Sequence, residues 1–340
     1  MEKETLVSVA RRTGYSISTI SRILNGNAVK YRISEKAVEL VMAEVRACNY
    51  TPSMLAKGLR TNRTDTIGLL IPSIENPFFA TIAGVVIREL RTLNYKVVVV
   101  DTQEDDRFEI DGLSALLARR VDGIIAAPCG NDPVPFLRIR DNGIPVVMID
   151  RYLPNSSEFS YVTTDNYQGA IDATEYLIAN GHTQIVCIQG SPHSMPDKNR
   201  VRGYIDTLQR HNLGKNAVIR GENFSVENGY YQTKLALSSG SCPTAIFALS
   251  NTILLGVIKA VNESGLHIPD DISVVSFDDN QLFNYLNPAI TCIRQPINEI
   301  GTLAAKMLIE NIRGIQIEPV QLHLTPELIV RKSVKDRQIK

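Results

Sequence analysis

Tryptophan is absent from the 340 residues of this chain, so no binding surface in it rests on an indole ring. Long apolar runs are missing as well: Val97–Val100 and Ile144–Ile149 fall far short of the ~18 residues a membrane span requires. The N-terminal stretch carries Glu2, Lys3, Glu4, Arg11 and Arg12 with no apolar h-region, which argues against a secretory signal. Cysteine is scarce. Cys48, Cys129, Cys187, Cys242 and Cys292 are odd in number and contain no C-x-x-C, a pattern of reduced thiols in a cytoplasmic protein. The five histidines are scattered, so neither a metal site nor another cofactor is expected. Net charge is lacking too, with 36 basic and 36 acidic side chains, but the two signs are unevenly placed. Residues 1–63 hold eleven Lys or Arg against five Asp or Glu, leaving the rest of the chain acidic. A basic head on an acidic body points to a polyanionic partner for the head alone, although a solvated basic face would carry the same charge.

What is present is the composition of a soluble globular protein, 44% hydrophobic and 21% charged, and too long for a single core. Three zones follow. In residues 1–50 apolar positions recur at helical spacing: Leu6, Val9, Ala10, then Ile17, Ile20, Ile23, Leu24, then Val38, Val41, Met42, Val45. Ser34 is the expected N-cap of the third helix and Asn49 its expected C-cap. Residues 51–65 are a polar, basic connector. Residues 66–340 alternate apolar strands with amphipathic segments. The candidate strands are Ile67–Ile71, Lys96–Asp101, Gly123–Ala127, Val146–Asp150, Ile185–Gln189, Ala245–Leu249, Ile272–Phe277 and Ile290–Arg294. Such alternation predicts parallel sheets with helices on both faces, and this many strands predict two lobes. Ligands in such folds bind where loops converge at the carboxyl ends of the strands.

The head reads TLVSVARRTGYSISTISRILNG from Thr5 to Gly26. Leu6, Val9 and Ala10 form one face of a first helix, and Gly14 stands where a tight interhelical turn needs a left-handed residue. Ser16 can cap a second helix whose buried face is Ile20, Ile23 and Leu24. Ile17, Ser18, Ser21 and Arg22 then point outward, and small hydroxylic residues followed by an arginine suit the major groove. An ordinary helical hairpin would share this pattern.

At these residues the chain resembles the LacI/GalR family of bacterial transcriptional regulators. Val9, Ala10, Gly14, Ser16, Thr19, Ser21, Arg22, Leu24, Asn25 and Gly26 fall on that family's helix-turn-helix pattern. Tyr15 departs from it, and the loop from Asn27 to Ile33 is longer than the family's commonest form. The segment Pro52 to Thr61 (PSMLAKGLRT) is similar to the family's hinge, which is helical only on DNA and inserts a leucine into the minor groove. Leu59 matches that leucine, and one apolar wedge can kink a duplex. Lys57, Arg60 and Arg63 can neutralise phosphates. A helix so short is marginal alone, the more so with Gly58, and a flexible linker is the plain alternative. The resemblance implies DNA contacts from Thr5, Leu6, Ser16, Ile17, Ser18, Thr19, Ser21, Arg22, Asn25, Tyr50, Ser53, Leu55, Ala56 and Leu59.

The resemblance continues through TIGLLIPSIENPFF (Thr66–Phe79), VVMIDR (Val146–Arg151), VTTDNYQGA (Val162–Ala170), GHTQIVCIQG (Gly181–Gly190), ESGLHIPDDISVVSFDD (Glu263–Asp279) and ITCIRQP (Ile290–Pro296). It implies an all-α helix-turn-helix head followed by an α/β, two-lobed, periplasmic-binding-protein-like body with parallel sheets. It also implies an effector cleft formed by Phe78, Phe79, Asp150, Arg200, Phe224, Asn251 and Asp278. The phenylalanines can stack on a ring and Asp150 can accept hydroxyl hydrogen bonds. The Arg200 fork suits a carboxylate or vicinal hydroxyls. Each has an ordinary alternative: core packing for the phenylalanines, a salt bridge for Arg200, a turn cap for Asp278. Thr252 stands where many relatives have aspartate, which loosens any inference about ligand class.

Catalytic signatures are missing: no G-x-S-x-G, Walker A, G-x-G-x-x-G or H-E-x-x-H occurs, so no enzyme is expected. The sequence therefore predicts a cytoplasmic, homodimeric, DNA-binding regulator, a repressor, with no membrane partner. Its affinity for a near-palindromic operator is set by a small metabolite, a sugar or sugar acid. The alternatives are a cytoplasmic solute-binding protein without specific DNA readout, and a regulator with a purine or other non-sugar effector.

Overall fold

A computed structural model of the chain describes residues 4–50, 63–154, 156–239, 242–315 and 318–338. It divides into two compact units, Met1–Asp65 and Thr66–Lys340.

Among the described residues, the first unit has three helices: α1 (Leu6–Thr13), α2 (Ile17–Leu24) and α3 (Glu35–Ala47). Local chemistry sets each end. Thr5 and Ser8 form a reciprocal capping box on α1, and Gly14 ends it at φ 72°. The Ser16 hydroxyl accepts from the Thr19 N–H at 3.1 Å to start α2, and Ser34 caps α3. Cys48, rather than Asn49, is the C-cap of α3; Asn49 is the left-handed residue (φ 49°) just beyond it. Val9, Ile20, Ile23, Val41 and Val45 make the core, with Tyr15, Leu24 and Ile33 against it.

In the second unit the first lobe contains β1 (Thr66–Ile71), α4 (Pro77–Thr92), β2 (Lys96–Asp101), α5 (Asp106–Ala118), β3 (Gly123–Ala126), α6 (Val134–Asp141), β4 (Val146–Ile149) and β5 (Ser160–Thr164). The second lobe contains α7 (Asn166–Ala179), β6 (Ile185–Ile188), α8 (Met195–Arg210), β7 (Val218–Arg220), α9 (Val226–Ser238), β8 (Ala245–Ala248), α10 (Asn251–Glu263), β9 (Ser273–Phe277) and β10 (Thr291–Arg294). The chain then returns to the first lobe as α11 (Ile297–Ile312) and β11 (Gln321–Leu324), and ends in the second as β12 (Glu327–Ile329). It thus crosses between lobes three times.

The strand orders are β11-β5-β4-β3-β1-β2 and β12-β10-β9-β8-β6-β7, so the second lobe repeats the plan of the first. All pairings are parallel except β10 with β12. Alternating strand residues feed opposite cores, because successive side chains leave opposite faces of a sheet. Ile67, Leu69 and Ile71 pack with Ile82, Val86, Ala304 and Leu308, while Leu70 packs on the other side with Leu113, Leu116 and Phe136.

All eight expected strands are present, and four more raise the count to twelve among the described residues. The additional ones lack the expected signal. β5 (SYVTT) is buried yet rich in hydroxyls, β7 has three residues, and β11 and β12 are short edge strands with exposed positions.

Candidate functional site

On the head, the first turn of α2 presents a polar, exposed face. Ile17, Ser18 and Arg22 are exposed, while Thr19 and Ser21 are half-buried beside them. Ser16 Oγ lies 2.8 Å from Ser18 Oγ and 2.9 Å from Thr19 Oγ1, and Asn25 Nδ2 donates to the Ser21 carbonyl at 2.6 Å. The guanidinium of Arg22 stacks over the Tyr31 ring at 4.0 Å. Thr5 is exposed at the α1 cap and Leu6 packs partly into the core. Tyr50, expected among the DNA contacts, has its ring buried in the head's core. Ser53, Leu55, Ala56 and Leu59 lie outside the described residues.

In the body, the loops after the strands of both lobes converge on a small cavity. It is lined by Asn76, Phe78, Phe79, Asp150, Arg151, Pro196, Arg200, Phe224, Ser250, Asp278 and Gln295 and is narrow, with about 20 Å³ of free space. The repeat in topology places two carboxylates in matching positions, Asp150 after β4 and Asp278 after β9. Both adopt the left-handed region, at φ 58° and 70°. Aspartate tolerates that conformation better than most residues, and it turns each carboxylate off the strand end.

The two carboxylates differ in their partners. Asp278 Oδ1 accepts from Gln295 Nε2 at 2.6 Å, and Oδ2 from the Asn251 N–H at 3.4 Å. Asp150 Oδ1 is buried with no hydrogen-bond partner among the described residues. Burial pushes its pKa up to about 6, against the opposing pull of Arg200 and Arg151.

Two arginines face these acids. Arg151 is buried and held bidentate by Glu104, at 2.6 and 2.7 Å, with its guanidinium 5.5 Å from the Phe79 ring and 5.3 Å from the Phe224 ring. Burial works against its charge, and the bidentate Glu104 together with Asp150 holds the pKa above the usual arginine value. Arg200 donates through Nε to Asn166 Oδ1 (2.8 Å) and through Nη1 to the Leu249 carbonyl (2.7 Å), over the face of Phe277 at 3.7 Å. Phe78 and Phe79 meet edge to face, 5.1 Å between centroids, at the start of α4 capped by Asn76.

Six of the seven residues expected in the cleft line one cavity: Phe78, Phe79, Asp150, Arg200, Phe224 and Asp278. Asn251 does not line it. As the first residue of α10 it lies beneath Asp278, offering its backbone N–H, and its Oδ1 is buried with no hydrogen-bond partner among the described residues. Sequence reasoning passed over Asn76, Arg151, Pro196, Ser250 and Gln295, although Asn76, Arg151 and Gln295 lie within motifs already singled out. Each lies within two residues of a strand or helix end, which was the usable signal. Among the described residues no His/Cys/Asp/Glu cluster could hold a metal ion, and no helix is long and apolar enough to cross a membrane.

Known proteins share this architecture. Residues 5–53 match the family described as "Bacterial regulatory proteins, lacI family", and residues 174–334 match the "Periplasmic binding protein-like domain". The ribose operon repressor of Escherichia coli (strain K12) is 33% identical over 97% of this chain and 99% of its own length. The chain belongs to the LacI family of bacterial regulatory proteins. A Vibrio campbellii relative, the HTH-type transcriptional repressor PurR, is 32% identical over 97% of the chain and 98% of its own. Among solved structures, the lac repressor dimer bound to operator and the anti-inducer ONPF aligns with TM-score 0.86 at 26% identity, covering 98% of this chain and 100% of that one. A LacI family transcriptional regulator from Enterococcus faecium with bound ribose aligns with TM-score 0.74 at 27% identity, over 80% and 99%. As a LacI-family transcriptional regulator, the chain combines a DNA-binding head with an effector-binding body of periplasmic-binding-protein type.

Proposed function

We propose that this LacI-family protein is a homodimeric repressor, working in the cytoplasm without catalysis, whose operator affinity is set by a neutral monosaccharide in the cleft. A pentose such as ribose is the leading candidate. Residues 1–50 read the operator through Ile17, Ser18 and Arg22, with Thr5, Leu6, Ser16, Thr19, Ser21 and Asn25 nearer the backbone. Residues 51–65 act as the hinge, and residues 66–340 sense the effector and dimerise. The operator-bound lac repressor dimer supports the head's role and the dimer.

The observation that carries the effector reading is the buried Asp150 oxygen, unpartnered among the described residues, lining the same cavity as Arg151, Arg200 and three phenylalanines. Sugar hydroxyls donate to carboxylates and accept from guanidinium groups, while the C–H faces of the ring pack on phenylalanine. Charge favours a neutral ligand. Asp150, Asp278 and Glu104 outnumber Arg151 and Arg200, so a sugar acid meets no net positive field.

The ribose operon repressor and the Enterococcus faecium regulator with bound ribose favour the pentose; a purine is the contrasting case. Calorimetry on the full chain with ribose, other pentoses, hexoses, uronates and purines tests this. Binding of a neutral pentose at one site per protomer is expected; binding of a purine or uronate with no response to neutral sugars would overturn the reading.

A further inference from the structure

We propose that Tyr31 is a positioning residue for DNA readout. Its ring holds the Arg22 guanidinium of α2 in one pose, so the long loop from Asn27 to Ile33 sets specificity at a base pair that Arg22 reads. This rests on the DNA-reading role of the head given above.

The Arg22 guanidinium carbon lies 4.0 Å from the centroid of the Tyr31 ring, well inside the range of a cation–π stack. Stacking occupies the face of the guanidinium. Its N–H donors lie at the edge, and among the described residues none of them is taken by a hydrogen bond or ion pair.

The loop that carries the ring is itself tied down. The Asn27 N–H donates to the Arg22 carbonyl at 2.9 Å, Tyr31 to Asn27 at 3.1 Å and Ile33 to Ala28 at 3.0 Å, while Ile33 packs on the head's core. The backbone that carries the ring is therefore tied to the end of the helix it serves. Bidentate recognition of a base edge requires the arginine fork in one orientation, and a flexible side chain must otherwise be ordered at the moment of binding. A side chain already stacked has less freedom to lose.

The test selects palindromic duplexes from a pool randomised in both half-sites, using full-length wild type, Tyr31→Ala, Tyr31→Phe and Arg22→Ala, each checked by thermal melting. Wild type is expected to select one consensus. Arg22→Ala and Tyr31→Ala should lose preference at the same base pair, by about two- to fivefold for Tyr31→Ala, while Tyr31→Phe keeps it. The salt dependence of Tyr31→Ala should match wild type, because no phosphate contact is removed. A Tyr31→Ala consensus identical to wild type would overturn the inference. So would a uniform loss across all positions with a shallower salt slope, which would make Tyr31 a backbone contact. Tighter binding by Tyr31→Ala would show the ring parking Arg22 away from DNA, and also overturns it. A folded wild type that selects no sequence would instead remove the DNA reading itself.

Discussion

Replacing Asp150 by asparagine removes a buried charge while keeping the shape and the left-handed backbone that asparagine also tolerates. The aspartate is raised from 3.8 to about 6 by burial. A folded-state pKa above the unfolded one means that the group's stability is full below pH 3.8 and is lost as pH rises through about 6. Two units correspond to about 3 kcal/mol of penalty at neutral pH, of which a buried amide retains about 1 kcal/mol. The net gain of about 2 kcal/mol should raise the melting temperature of the ligand-free protein at pH 7.5 by about 4–8 °C. The same variant loses a charge-assisted acceptor for the effector, so its affinity for ribose should fall about tenfold to hundredfold. Scanning calorimetry at about pH 5 and pH 7.5 reads the first effect, and the melting difference between those conditions should shrink in the variant. Titration calorimetry reads the second. A variant that melts no higher than wild type at pH 7.5 and binds sugar as tightly would refute the argument, because the carboxylate would then be neither strained nor used.

Gly190→Ala would place a methyl carbon 2.1 Å from Phe224 Cε1, forcing the ring out of the cleft. It is expected to cost about 1–3 kcal/mol in stability and to weaken the sugar-induced thermal shift, both read by melting with and without ribose. Glu104→Gln leaves Arg151 buried without its carboxylate. Breaking a buried pair costs about 3–5 kcal/mol, and the one-third exposure of Glu104 (35%) lowers the expected loss to about 2–3 kcal/mol in urea unfolding. Ser16→Ala removes the cap of α2 and should cost about 1 kcal/mol, appearing as roughly fivefold weaker operator binding in fluorescence anisotropy at fixed salt.

Much of the fold was legible because the chemistry involved is local. Ser16, Gly14 and Ser34 read directly as caps and a turn, since each acts on backbone groups within a few residues. The eight apolar strands stand out because a strand covered on both faces must be apolar throughout. β5 escaped notice because its hydroxyls are satisfied by distant partners: Thr163 donates to the Asp150 carbonyl and Thr164 to Gln295 Oε1. Asp150 and Asp278 were picked out by the family resemblance, and both follow the rule that ligands gather at strand ends. Arg151 was not, because only its bidentate pairing with Glu104 from another loop reveals that it is buried rather than solvated. The same holds for Gln295, which reaches Asp278 across the return into the first lobe. Asn251 was assigned to the cleft on motif position, but the first turn of α10 tucks it beneath Asp278. Tyr50 sits just outside a helix yet closes the core of the head, which spacing alone does not distinguish from an exposed position.

The proposed regulatory role requires coupling between the cleft and the head. Its most direct test measures the dissociation constant of the full-length protein for its selected palindrome with and without saturating ribose, together with the ribose affinity of the free and operator-bound forms. Ribose should change operator affinity by roughly 5–150-fold, and the operator should change ribose affinity by the same factor. Ribose bound at one site per protomer, with operator affinity identical in its presence and absence, would contradict it.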